Sequence, residues 1–189
     1  LCGVLYPDSG IVTCENADFR KDMFTVLSGS QHLYAKNTVK ENIIFLSVLR
    51  GRSTAEIAEN LEKYRSWFPL YETVQSRLFE ELSTGQKQMM LILAALVADA
   101  RYLLLDEPTE GLDLNHKQML TDLLRKLKTF KTILITSHDA GFITTLSDHM
   151  VFLKEGRIVL DTPGMELSDF LETYHRYYLD EGEEKENIL

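Results

Sequence analysis

Nine consecutive apolar residues, Met89 to Val97, constrain the fold more than any other feature of the chain. Leu, Ala and Met favour a helix, and a helix that is apolar all round must be buried on every side. Such a helix needs a shell around it. Tyr102 to Leu105 is a continuous apolar run of the kind found in strands buried within parallel sheets, and Ile133 to Thr136 reads as another buried strand. Leu114 to Lys128, between the two, is amphipathic. A β-α-β-α order calls for a parallel sheet with crossover helices. The expected class is therefore α/β.

The rest of the chain fits around that core. Leu1 to Leu5 reads as the end of a helix and Pro7-Asp8-Ser9-Gly10 as a turn. Ile11 to Cys14 and Met23 to Leu27 read as short strands, the second running into a Ser28-Gly29-Ser30 loop. Two capping boxes follow. Thr38 stands three residues before Glu41 and opens a helix over Val39 to Leu49; Ser53 stands three before Glu56 and opens one from Ala55 to about Trp67. Pro69 interrupts, and a third helix is expected over Tyr71 to Glu80. The apolar helix begins after Ser83 and runs to about Ala98. Phe142 to Leu146 is a short helix, and Lys154-Glu155-Gly156-Arg157 is a hairpin turn between Met150–Leu153 and Ile158–Leu160. The stretch from Asp180 to Glu186 is nearly all acidic and is expected to be disordered.

Composition narrows the function. A chain of 189 residues, 44% hydrophobic and 26% charged, fits one domain with a real core. The net charge of −9 argues against nucleic acid as a partner, because phosphate backbones require clustered Lys and Arg. Cys2 and Cys14 have no metal-ligand spacing and suit a reducing compartment. The longest apolar run, Met89 to Ala98, falls far short of the roughly 20 residues of a membrane span. The chain opens with Leu1 inside a predicted helix, which reads as a fragment of something longer.

In an open α/β sheet, ligands bind beyond the carboxyl ends of the strands. Asp106, Glu107 and His138 all follow predicted strands. Two adjacent carboxylates at a buried strand end are costly unless a cation or hydrogen bonds compensate. Mg²⁺ held through Asp106 would do so, leaving Glu107 to orient or deprotonate a water. An isolated Asp-Glu-Pro would instead read as the cap of a turn. Ser83, Thr84 and Gly85 start a helix, where free N–H groups form an anion site. Alone, Ser83 is more simply an N-cap. His138 can donate to a phosphate oxygen, whereas His32, His116, His149 and His175 read as surface or packing residues.

Taken together, these segments resemble the ATP-binding cassette (ABC) ATPases. Leu82-Ser83-Thr84-Gly85-Gln86 resembles the ABC signature, with Thr84 where the family most often has Gly. Leu103–Asp106 resembles Walker B, Glu107 its catalytic glutamate, Gly111-Leu112-Asp113 the D-loop, and Ser137-His138-Asp139 the H-loop switch. Leu5–Gly10 resembles the segment after the Walker A helix, and Leu33-Tyr34 with Thr38–Asn42 the stretch after the Q-loop. The Q-loop glutamine falls at Gly29, two residues before Gln31, and the pair at Glu110-Gly111 is less usual for a D-loop. No Gly-Lys dipeptide occurs, so the sequence given contains no P-loop, and the fold is expected to be N-terminally incomplete.

The resemblance implies a P-loop NTPase-like parallel sheet with a helical signature subdomain. An ABC ATPase domain would cover residues 1–165, with 35–98 helical and 99–165 the core, and residues 166–189 would form a C-terminal helix and acidic tail. It implies ATP and Mg²⁺ as cofactors. It also implies a second ABC domain as partner, with two nucleotides held between the pair. In that arrangement Ser83, Thr84, Gly85 and Gln86 serve the partner's nucleotide, Asp113 couples the two sites, and Asp106, Glu107 and His138 act on the nucleotide of their own cassette. A separate transmembrane permease would place the protein in the cytoplasm, peripheral on the membrane's cytoplasmic face. Export is the expected direction, with the permease docking near Gly29 and Val39–Trp67, within reach of Phe45 and Phe68. The alternatives are a non-transport ABC ATPase and an ATPase-inactive regulatory module.

Overall fold

A computed structural model describes residues 7–12, 19–27 and 33–179. The expected helix end at Leu1–Leu5, the loop containing Gly29 and Gln31, the acidic stretch from Asp180, and Cys2 and Cys14 lie outside the described residues. Of the strand expected at Ile11–Cys14, only Ile11 and Val12 are described; they are exposed and form no strand. The chain divides into two compact units, Leu1–Thr136 and Ser137–Leu189.

In the first unit, strands β1 (Met23–Val26), β2 (Tyr102–Asp106) and β3 (Thr132–Thr136) form a parallel sheet in that order. Asp106 pairs with Thr136 at its carboxyl end. Helices α1 (Val39–Leu49), α2 (Thr54–Arg65), α3 (Pro69–Val74), α4 (Thr84–Val97) and α5 (Leu114–Leu127) complete the unit. Helix α4 is the axis of the core. Ile92 to Val97 have no exposed surface, and α4 packs against α1, α2, α5 and β1. Its C-terminal carbonyls would be orphaned in that setting. Asn60 Nδ2 donates to the Val97 carbonyl (3.0 Å) and Arg52 Nε to that of Ala98 (3.2 Å).

The buried Asn42 ties the approach to α1 in place. Its Nδ2 donates to the carbonyls of Tyr34 (2.9 Å), Thr38 (3.1 Å) and Asn37 (3.3 Å), and its Oδ1 accepts from Tyr34 N–H (2.9 Å). On the outer side of α1, Tyr34, Val48 and Leu49 are exposed beside the half-buried Phe45. The Tyr34 and Phe45 rings meet edge to face at 5.0 Å.

Four expectations differ from the structure. The third helix begins at Pro69 rather than Tyr71: at the first position of α3, the missing N–H of proline costs nothing. Helix α3 ends at Val74 rather than Glu80, followed by a 3₁₀ turn at Phe79–Glu81. The backbone between them is bonded elsewhere. Gln75 and Arg77 carbonyls accept from Lys40 and Val39, and Phe79 and Glu80 donate to Asn37 and Ala35. Strand β3 is not buried: its residues alternate between exposed and half-buried. Phe68 is fully buried, so it cannot face a docking partner.

The second unit holds α6 (Ala140–Leu146), the antiparallel pair β4 (His149–Lys154) and β5 (Arg157–Pro163), and α7 (Leu167–Tyr178). The hairpin turns on Glu155 (φ +50°) and Gly156 (φ +76°), the two left-handed residues of a type I′ turn. Phe170 of α7 lies against Phe152 with ring centroids 5.4 Å apart, and the Tyr178 hydroxyl donates to the Leu153 carbonyl (2.6 Å). Among the described residues, no helix is long and apolar enough to cross a membrane.

Candidate functional site

The start of α4 is built by a capping box. Gln86 N–H donates to Ser83 Oγ (3.3 Å), and the Gln86 side-chain oxygen accepts from Ser83 N–H (3.1 Å). Ser83 and Thr84 are exposed, Gly85 is buried and Gln86 is half-buried. No acidic residue occupies the first turn of α4. The positive end of a 14-residue helix is therefore left without a carboxylate of its own. Ser83 Oγ keeps the cap by accepting a hydrogen bond, while its O–H remains able to donate.

Strand β2 delivers Asp106 and Glu107 to the end of the sheet. Asp106 Oδ1 accepts from the Thr136 hydroxyl at the end of β3 (2.5 Å). The parallel register sets these residues opposite each other, 30 positions apart in the chain. Glu107 has left-handed backbone, with φ +46°. That conformation is unfavourable for a residue with a Cβ and persists only when its surroundings enforce it. Here Glu107 N–H donates to the Thr136 carbonyl (2.9 Å), and the Glu107 carbonyl accepts from Glu110 N–H (3.0 Å). The turn continues through Gly111, whose φ of +69° suits glycine, to Asp113, the N-cap of α5.

Asp113 Oδ1 accepts from His116 N–H (2.8 Å), and His116 Nδ1 lies 2.8 Å from Asp113 Oδ2. The backbone N–H, then the imidazole, hold the Asp113 carboxyl below its ordinary range. A carboxylate only accepts, so this contact places a proton on Nδ1.

The structure brings the α4 start and the turn after β2 together. A Cβ at Gly85 would lie 2.7 Å from His116 Cγ and 2.8 Å from Cδ2. A Cβ at Gly111 would lie 3.6 Å from Thr84 Cγ2. His116, dismissed from the sequence as a packing residue, thus touches two of the residues singled out there. A signal was present: His116 is three residues after the N-cap Asp113, the position that faces a cap.

His138 belongs to the second unit, where it is exposed. Asp139 beside it caps α6, its Oδ1 accepting from Phe142 N–H (3.0 Å), and Asp139 N–H donates to Ser137 Oγ (3.1 Å).

Among the described residues, no group of three or more His, Cys, Asp or Glu is arranged to hold a metal. Mg²⁺ does not require one, since it is commonly bound through one or two carboxylates with water and substrate phosphates. Asp106, oriented by Thr136, fits that mode.

The ABC transporter family profile matches residues 1–110, more than half of the chain. The chain is 32% identical over 170 residues to the petrobactin import ATP-binding protein YclP of Bacillus subtilis, covering 87% of this chain and 67% of that protein. It is 30% identical over 164 residues to the phospholipid-transporting ATPase ABCA3 of Rattus norvegicus, covering 84% of this chain and 10% of that protein. A solved nucleotide-free ATP-binding cassette from an ABC transporter superposes with a TM-score of 0.68 at 21% identity, over 82% of this chain and 66% of that one. The ATP-binding subunit of another ABC transporter gives 0.67 at 24% identity, over 82% and 63%. These likenesses show a shared α/β fold.

Proposed function

The chain belongs to the ABC transporter family of ATP-binding proteins, and from that premise we propose that it is the ATP-hydrolysing cassette of a transporter. It works in a pair with a second cassette and drives a separate membrane subunit at the cytoplasmic face. Residues 35–98 form the helical part that presents the signature, 99–165 the catalytic core, and 166–189 an appended helix and tail. The observation that carries this reading is the acid-free α4 start seated on the turn that follows Asp106 and Glu107.

The residues divide the work. Asp106, held by Thr136, would hold Mg²⁺, which when bound would offset charge developing on the nucleotide's phosphates. Glu107 orients the attacking water and accepts its proton, and its enforced backbone fixes the direction of its side chain. His138 donates a hydrogen bond to a phosphate oxygen. Ser83, Thr84, Gly85 and Gln86 approach the nucleotide held by the second cassette, with N–H groups, helix dipole and the Ser83 hydroxyl directed at its phosphate. Asp113 links that surface to the chain's own catalytic turn. The membrane subunit docks on the exposed apolar side of α1 at Tyr34, Phe45, Val48 and Leu49. The relatives carry names from both import and phospholipid transport.

The test is Glu107→Gln in the intact protein. Removing a general base costs about 10²- to 10⁴-fold in turnover, and the variant is expected to accumulate as an ATP-bound pair in size-exclusion chromatography. Turnover equal to wild type would take the general-base role away from Glu107.

A further inference from the structure

Two contacts interlock the α4 start with the turn before α5. Thr84 Cγ2 fills the space beside Gly111, at ordinary van der Waals distance from where a Cβ would stand. The His116 ring occupies the space that a Cβ on Gly85 would need, with Cγ, Cδ2 and Cβ of His116 at 2.7, 2.8 and 3.1 Å from it. The second contact is the tighter, and it is locked from behind. His116 is held by Asp113 through both its backbone N–H and its ring Nδ1, each at 2.8 Å. Its side chain retains only 26% of its exposure. The ring is therefore a spacer between Gly85 and Asp113.

We propose that His116 is a positioning residue that seats the Ser83–Gln86 helix start on the Gly111–Asp113 turn, so that both present to the second cassette's nucleotide as one rigid surface. This rests on the ATPase reading above. It also gives Gly85 a second reason to be glycine. Close approach of backbone to phosphate is one; the His116 ring is the other. A side chain at position 85 must displace that ring or move the helix start, and a displacement near 1 Å at a reacting group can cost on the order of a hundredfold.

The experiment is a four-variant cycle in the intact protein: Gly85→Ala, His116→Ala, the double variant, and His116→Asn, which keeps a donor near the Nδ1 position. Melting temperature and steady-state ATP hydrolysis are read for each. Overpacking predicts that Gly85→Ala lowers Tm by roughly 3 to 9 °C. The double variant recovers most of that loss, because the obstructing ring is gone. His116→Ala lowers kcat on the order of tenfold or more with KM for ATP unchanged, the pattern of an interaction made in the transition state alone. His116→Asn returns kcat to within about threefold of wild type by restoring the link to Asp113. A double variant no more stable than Gly85→Ala would overturn the ring contact as the constraint on Gly85. Unaltered kcat in His116→Ala would overturn the positioning role. A wild-type protein without turnover would instead sink the ATPase reading, and the melting cycle would still decide the contact.

Discussion

Among the described residues, three helices begin with the same capping geometry, and one of them differs in charge. At α1, Glu41 accepts from Thr38 N–H at 2.7 Å; at α2, Glu56 accepts from Ser53 N–H at 2.8 Å. At α4 the same place is taken by Gln86, accepting from Ser83 N–H at 3.1 Å. The returning bonds to Thr38, Ser53 and Ser83 are equally similar, at 3.2, 3.3 and 3.3 Å. The first two helices thus offset their own positive ends with a carboxylate. The third keeps the cap with an amide and has no carboxylate of its own in its first turn. A capping box alone says only that a helix starts. Its charge distinguishes a start that carries its own carboxylate from one that does not.

The largest effect on this comparison should come from making the three starts alike. Gln86→Glu is expected to fold with the cap intact and to lower ATP turnover or apparent nucleotide affinity roughly tenfold, since a charge at a partly buried helix end contributes up to about 2 kcal/mol. Nucleotide titration checks it, and an unaltered response would mean that the open charge at α4 has no role. A smaller and more selective effect comes from removing the caps. Ser53→Ala and Ser83→Ala should each cost about 1 kcal/mol in denaturant unfolding. Only Ser83→Ala should also slow hydrolysis, because only Ser83 has a hydroxyl assigned to phosphate.

The smallest effect is a difference in acid. The carboxyls of Glu41 and Glu56 are held below their ordinary range, chiefly by the backbone N–H groups of Thr38 and Ser53 and then by those residues' hydroxyls. A depressed carboxyl contributes stability that is fully present above its unfolded pKa and is lost as pH falls through its folded one. The starts of α1 and α2 should therefore loosen below about pH 4, the ordinary carboxylate range, while the cap of α4, closed by an amide, has no carboxyl of its own to lose there and gives up only the support that Asp113 lends it through His116. Amide hydrogen exchange at Glu41, Glu56 and Gln86 across acid pH measures this, and parallel behaviour at all three would contradict it.

Local chemistry made much of this readable in advance. A capping box declares itself within four residues, so α1 begins where the sequence places it and α2 within a residue. The apolar run of α4 and the turn at Glu155-Gly156 are equally local signals. What escaped depends on partners distant in the chain. Helix α3 stops early because Gln75 to Glu80 bond to backbone some forty residues earlier. The apolar residues of β3 could not reveal that the strand lies at the side of the described sheet. Asp106 could be placed at a strand end, but not its hydrogen bond to Thr136. His116 reaches Gly85 only because the fold joins two helix starts that the sequence holds 30 positions apart. No spacing rule contains that contact.

On the proposed reading, the α4 start of one copy acts on the nucleotide held against Glu107 of another. The most direct measurement mixes two inactive forms of the intact protein, one carrying Gly85→Asp and the other Glu107→Gln, and follows ATP hydrolysis. If the two motifs act across a pair, one composite site in each mixed pair keeps both a sound signature and a sound base, and turnover reappears on mixing. If they act within one chain, every site stays damaged and the mixture remains as inactive as its parts.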